Sequence, residues 1–182
     1  MSEELFKQMA QAVIDGDPDQ AQALAQKALD TGGDPLEAIN RGYTAGMDVV
    51  GELYSSGEYF LPDLILGGEA MKAALAVLEP ALKAGGRQRK VLGTIVLGTV
   101  KGDIHEIGKA LVGSMLSANG FQVYDLGIDI QADEFVARVR EHNADIVALS
   151  ALLTTTMLHQ RDVIEHLVEA GLRDRVKVMV GG

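Results

Sequence analysis

Apolar residues recur along the first 84 positions at helical spacing, and then the rhythm changes. Leu5, Met9 and Val13 fall on one helical face, and Leu24, Ala28 and Leu29 on another. Asp17-Pro18, Asp34-Pro35 and Leu61-Pro62 each set a proline at a first helical position, where its missing N–H costs nothing; Gly32-Gly33 and Gly57 mark interruptions. The pattern predicts four helices, over 3–15, 18–30, 35–55 and 62–84, enough for a small bundle. Gly85-Gly86 and the basic run Arg87 to Lys90 read as a linker, which gives a helical domain over 1–86 and a second domain over 87–182.

Beyond the linker, short β-branched runs alternate with helical segments. Val91–Leu97, Val123–Leu126, Ile146–Leu149 and Val176–Val180 read as strands, with helices over Glu106–Asn119, Gln131–Glu141 and Thr155–Ala170 between them. This alternation predicts an α/β domain with an open parallel sheet and helices on both faces. Such sheets bind ligands beyond the carboxyl ends of their strands, where strand order reverses; in the flavodoxin-like order that place lies between the first and third strands.

Composition then narrows the partners. A net charge of −10 with scattered Lys and Arg opposes binding to nucleic acid or to an anionic membrane, so a small molecule or another protein is expected instead. With no cysteine in 182 residues, disulfides, thiolate metal sites and cysteine nucleophiles are excluded, and the cytoplasm is the default compartment. Ser2 to Ile14 carries Glu3, Glu4 and Lys7 and is too polar for a signal peptide; no apolar run is of membrane-spanning length.

The distinctive chemistry is Lys101-Gly102-Asp103-Ile104-His105-Glu106-Ile107-Gly108, directly after the first strand. Asp103 and His105 are separated by one residue, so in extended backbone both side chains project to the same side. The carboxylate can then hold one imidazole nitrogen and leave the other free, the arrangement a metal ligand needs. Gly108 allows backbone to approach a ligand at the start of a helix. The glycine spacing in Gly98 to Gly102 fits neither the dinucleotide fingerprint nor a P-loop, and His105-Glu106 lacks the second histidine of a zincin helix. Past the third strand, Ser150-Ala151-Leu152-Leu153-Thr154-Thr155-Thr156 offers more hydroxyls than one helix cap requires, and Gly181-Gly182 closes the fourth strand on the same side. His142, His159 and His166 sit in polar helical contexts and read as exposed surface.

Taken together, Asp103-x-His105-x-x-Gly108, Ser150-x-Leu152 and Gly181-Gly182 resemble the cobalamin-binding signature of corrinoid proteins that bind the cofactor base-off and histidine-on. Gly46-Met47-Asp48-Val49-Val50-Gly51-Glu52-Leu53-Tyr54 and Gly57 to Asp63 resemble the cap bundle of methionine synthase and of the methyltransferase corrinoid carriers of methanogens and acetogens. The resemblance covers nearly the whole chain. It implies a four-helix cap followed by a flavodoxin-like, Rossmann-type cobalamin-binding domain. A fifth strand and a final helix lie past the position of Gly182 in that family, so the domain is expected to be incomplete at its C-terminus.

On that resemblance, His105 is the lower axial ligand to cobalt and Asp103 its hydrogen-bond partner, with Gly102, Ile104, Glu106, Ile107 and Gly108 against the cofactor. Ser150 and Leu152 line the slot for the displaced nucleotide tail, Gly181 and Gly182 allow its close passage, Thr154 is a nearby contact and Thr156 completes the relay. Tyr54 and Leu61 cover the upper face and Asn40 reaches the cofactor; bundle core is the plain alternative for Tyr54 and Leu61. The implied function is a corrinoid carrier subunit without catalysis of its own. It would take a methyl group on cobalt from a substrate methyltransferase and pass it to a second methyltransferase with tetrahydrofolate or coenzyme M as acceptor, kept active by a reductive activase. The competing readings are a cobalamin-dependent sensor or regulator, a mutase cobalamin-binding domain, and a flavodoxin-like module without metal. The absence of tryptophan and of a basic recognition helix weighs against the regulator.

Overall fold

Each of the first three helical stretches begins at a side chain that satisfies an otherwise orphaned backbone N–H. Ser2 Oγ accepts Leu5 N–H at 3.3 Å ahead of α1 (Glu3–Ile14), and Asp17 accepts Gln20 N–H at 2.9 Å ahead of α2 (Pro18–Asp30). Asp34 accepts Leu36 N–H at 2.9 Å ahead of α3 (Pro35–Glu37). The single helix expected over 35–55 is instead α3, a π-helical stretch Ala38–Tyr43, and α4 (Thr44–Ser56). The π-helical stretch ends at Tyr43, which is fully buried and donates its hydroxyl to Ala21 O at 2.7 Å. Burial pushes the Tyr43 hydroxyl pKa up. After Gly57, in the left-handed conformation at φ +83°, the long helix α5 (Leu61–Ala84) completes the bundle.

Helix α4 approaches α1 closely through Gly46. A Cβ there would stand 2.5 Å from the Ala10 carbonyl oxygen and 2.9 Å from Ala10 Cα, both backbone atoms that cannot rotate away. Gly46→Ala is therefore expected to destabilise the helical unit by about 1–3 kcal/mol despite alanine's better helix propensity. Denaturant unfolding of the two proteins measures this; equal stability would show that the helices separate at no cost.

The computed structural model describes residues 1–86, 89 and 91–182. The chain divides into two units, Met1–Lys90 and Val91–Gly182. Arg87, Gln88 and Lys90 of the expected linker lie outside the described residues.

In the second unit the elements run β1 (Thr94–Thr99), α6 (Ile107–Ala118), β2 (Gln122–Asp125), α7 (Ala132–His142), β3 (Ile146–Ser150), α8 (Leu158–Glu169) and β4 (Lys177–Gly181). All neighbouring strands are parallel, in the order β2-β1-β3-β4, so the order reverses between β1 and β3. Strand β1 begins three residues later than the apolar run predicts, where its pairing with β2 starts at Thr94 and Gln122. Thr94 N–H is held there by Asp145 Oδ2 at 2.7 Å, while Val91 and Leu92 stay exposed.

The two faces of the sheet are covered unequally. Val96, Val147 and Leu149 point to one face, where Phe135 and Val139 of α7 and Val163 and Leu167 of α8 form the main core. Ile95, Leu97 and Ala148 point to the other, under α6, which packs on β1 and β2. That leaves the β3 and β4 half of the α6 face open, with Met179, the neighbour of Ala148, exposed. Among the described residues no helix is long and apolar enough to cross a membrane.

Candidate functional site

Strand β1 and its following loop end at the reversal point, where Val100 N–H bonds Ser150 O at 3.0 Å and Asp103 N–H turns back to Val100 O at 3.1 Å. The turn passes through Gly102 at φ +77°, a conformation that favours glycine. It delivers Asp103 into a fully buried position against the start of the loop after β3.

Five donors converge on that carboxylate. Oδ1 accepts His105 N–H at 3.0 Å and faces His105 Nδ1 at 2.7 Å; Oδ2 accepts Leu152 N–H at 2.9 Å, Leu153 N–H at 3.3 Å and the Thr156 hydroxyl at 2.5 Å. Burial by itself raises the Asp103 pKa. The bonds from Thr156, from the backbone and ring of His105 and from Leu153 outweigh it and hold the carboxyl well below the usual carboxylate range. The hydroxyl of Thr156 also lies 2.9 Å from Leu153 O, but its single proton goes to the nearer, charged acceptor. With Asp103 ionised, the proton on the His105 ring belongs on Nδ1, and Nε2 is left with a free lone pair. The ring itself is 45% exposed, so that lone pair is accessible.

Beside the ring is a cavity of about 360 Å³, bounded by α6 on one side and by β3 and β4 on the other. His105, Gly108, Ser150, Leu152, Gly181 and Gly182, six of the residues singled out from sequence, line it together. No atom lies within 4 Å of where a Cβ would stand on Gly108 or Gly181, so both glycines keep the walls low. Gly182 is required for a different reason: a Cβ there would fall 1.8 Å from Ala151 O.

The other expected residues are placed differently. Ile104 and Ile107 are 71% and 90% exposed and do not line the cavity; with Leu153, Met157 and Leu158 they give the loops after β1 and β3, and the helix starts that follow them, an apolar surface. Gly102 and Glu106 are exposed in the first loop and Thr154 in the second, all outside the cavity lining. In the helical unit, Asn40 is exposed within the π-helical stretch, Tyr54 is 45% exposed in the last turn of α4, and Leu61 is 47% exposed at the start of α5. Tyr54 and Leu61 are therefore surface residues, not bundle core.

Three histidines expected at the surface are partly buried and locally engaged. His142 stacks on Tyr124 with ring centroids 3.6 Å apart, His159 Nδ1 pairs with Asp162 at 2.7 Å, and His166 Nδ1 donates to Asp162 O at 2.8 Å. The structure also brings in residues the sequence reading missed. Buried Thr99 donates its hydroxyl to His105 O at 3.0 Å. Lys109, whose side chain is fully buried on the cavity wall, pairs with both carboxylate oxygens of Asp125 at the end of β2, and Asp125 accepts Gly127 N–H at 2.9 Å. A threonine closing an apolar strand and a lysine on the apolar face of α6 were the available signals; the amides of Leu152 and Leu153 had none.

Comparison with known proteins supplies the context for this geometry. Two family models, each described as a B12 binding domain, match residues 93–182 and residues 5–79. A corrinoid protein of Desulfitobacterium hafniense (strain Y51) is 50% identical over 179 residues, which is 98% of this chain and 83% of that protein. The trimethylamine corrinoid protein of Methanosarcina barkeri is 47% identical over 180 residues, covering 99% of this chain and 83% of that one. Among solved structures, the methanol:cobalamin methyltransferase complex of Methanosarcina barkeri matches all of this chain and 69% of its own with a TM-score of 0.88 at 34% identity. A cobalamin-binding protein of Desulfitobacterium hafniense DCB-2 matches all of this chain and 84% of its own with a TM-score of 0.77 at 38% identity.

Proposed function

The chain belongs to the B12-binding corrinoid protein family, and we propose from that premise that it is the methyl-carrying corrinoid subunit of a methyltransferase system, with His105 as the lower axial ligand of its cofactor. The observation that carries the reading is the buried Asp103 carboxylate, which fixes the His105 ring by Nδ1 at 2.7 Å and leaves Nε2 free on a residue that lines an open cavity. Among the described residues no group of three or more His, Asp or Glu side chains could hold a bare metal ion. A lone, well-oriented imidazole suits instead a metal that arrives with its equatorial ligands in a macrocycle.

When bound, the corrinoid supplies the methyl-transfer chemistry at cobalt. This chain's residues bind and orient it. Asp103, held in place by Thr156 and by the Leu152 and Leu153 amides, keeps the proton on Nδ1 of His105 and so maintains a ligating lone pair on Nε2. The cavity walls of Gly108, Ser150, Leu152, Gly181 and Gly182 offer a slot for the nucleotide tail that His105 displaces. Exposed Ile104 and Ile107 would offer an apolar bed to the flat ring.

Two of the similar proteins bear on the first partner. The trimethylamine corrinoid relative and the methanol:cobalamin methyltransferase complex support docking to a substrate methyltransferase. A second methyltransferase, acting on tetrahydrofolate or coenzyme M, then receives the methyl group, and a reductive activase restores the carrier, all in the cytoplasm.

Histidine ligation is tested by loading the protein with cobalamin, reducing it to cobalt(II) and recording the electron paramagnetic resonance spectrum with and without nitrogen-15 histidine. The axial nitrogen splitting is expected to change from triplet to doublet on labelling. A splitting indifferent to the label would leave the cofactor's own base on cobalt and end the His105 assignment.

A further inference from the structure

The loop that presents His105 is itself gripped from outside, by a residue of the loop after β2. Asp129 has φ +57°, and with Asn143 it is one of two non-glycine residues at positive φ among the described residues. Asn143 is explained as the C-cap of α7. Asp129 ends no helix, and a left-handed backbone at a non-glycine residue persists only where its surroundings fix it.

Those surroundings are the end of β1. Thr99 N–H bonds Gly127 O at 3.0 Å, Ile130 N–H bonds Thr99 O at 3.0 Å, and Val100 and Ile130 form a parallel bridge. Locked between these bonds, Asp129 reaches both ends of the dipeptide that precedes Ile104. Its carboxylate Oδ1 accepts Gly102 N–H at 2.7 Å, and its own N–H donates to Asp103 O at 3.1 Å. Asp103 in turn orients His105, and Thr99 fixes the far side of the loop through His105 O.

We infer that Asp129 is a positioning residue for the axial ligand: its carboxylate, acting through the Gly102-Asp103 peptide, sets how well His105 Nε2 reaches the cobalt of a bound corrinoid. This inference rests on the histidine ligation proposed above. It separates two properties of Asp129, the left-handed backbone and the acceptor oxygen, and substitutions can separate them too. Asp129→Gly keeps the backbone free to adopt φ +57° and deletes the acceptor; Asp129→Asn tolerates the same backbone and retains an Oδ1 that can accept Gly102 N–H.

The test is the cobalt(II) spectrum of each variant at saturating cobalamin, with His105→Ala marking the ligand-free limit and far-UV circular dichroism confirming the fold. Asp129→Asn is expected to keep the wild-type ratio of histidine-bound to histidine-free cofactor. Asp129→Gly is expected to shift that ratio about tenfold toward histidine-free, the lower end of what loss of an outer-shell partner costs a metal site. A purely structural role would lower unfolding temperature without moving the ratio in the folded, saturated protein. A wild-type ratio in Asp129→Gly overturns the inference, and so does a loss in Asp129→Asn as large as that in Asp129→Gly. A wild-type protein without a histidine nitrogen in its spectrum overturns the ligation reading first and Asp129's part with it.

Discussion

Alanine in place of His105 is expected to separate cofactor binding from folding. The ring's hydrogen bond among the described residues is Nδ1 to Asp103, and the side chain is half-exposed, so few packing atoms are lost. Asp103 Oδ1 keeps the His105 backbone N–H, and Oδ2 keeps its three donors. The stability cost is then about 1.5–3 kcal/mol, one hydrogen bond to a charged group. Cobalamin affinity should fall by more than the roughly 10–100-fold that removal of a mere supporting partner costs a metal site, since here the ligand itself goes. The nitrogen-15-sensitive splitting should vanish, and added imidazole, which fits the space vacated by the ring, should restore an axial nitrogen that no longer responds to labelled histidine. Spectrophotometric cobalamin titration beside thermal unfolding reads both effects. Unchanged affinity in a folded His105→Ala protein would mean that the cavity, and not the imidazole, holds the cofactor.

What the sequence disclosed about this site follows from which interactions leave a local trace. Helix starts at Pro18 and Pro35 were legible because a capping carboxylate directly precedes each, and β1 and β3 were legible because buried parallel strands need unbroken apolar runs. His105 and Asp103 could be paired because they are two residues apart on one loop. Their partners could not, being 49 to 53 positions downstream of Asp103 and in two of the three cases backbone amides, which carry no side-chain signature. Thr156 was reached only through a family resemblance. The π-helical stretch at Ala38–Tyr43 was equally hidden: Tyr43 at its end bonds Ala21 O far upstream in the chain, a tertiary contact with no local trace in the helical pattern. Nothing in the sequence marked Asp129, because a positive φ is a property of the chain around it.

The substitution Asp103→Asn is nearly isosteric, yet it should be the most destabilising conservative change in the α/β unit. A carboxylate offers acceptor oxygens on both sides; an amide offers one oxygen and one NH2 group. Whichever way the new side chain turned, its NH2 would confront either His105 N–H and Nδ1 or the Leu152 amide, the Leu153 amide and the Thr156 hydroxyl. If the oxygen faces the three donors, the His105 ring must present an unprotonated Nδ1 to the amide, which moves its proton to Nε2 and blocks ligation. If the oxygen faces His105, the two part-buried amides of Leu152 and Leu153 and the Thr156 hydroxyl lose their acceptor, at about 1–3 kcal/mol for each group that water does not reach. Chemical denaturation of the cofactor-free protein at neutral pH is therefore expected to show a loss of about 3–5 kcal/mol. The pH dependence has a definite sign. Because the folded pKa of Asp103 lies below its ordinary value of 3.8, its contribution is complete above that value and is lost as pH falls toward the folded one. The gap between wild type and Asp103→Asn should accordingly narrow as pH falls below about 4. A gap that does not change on acidification would show that shape, and not the charge of the carboxylate, anchors the His105 loop.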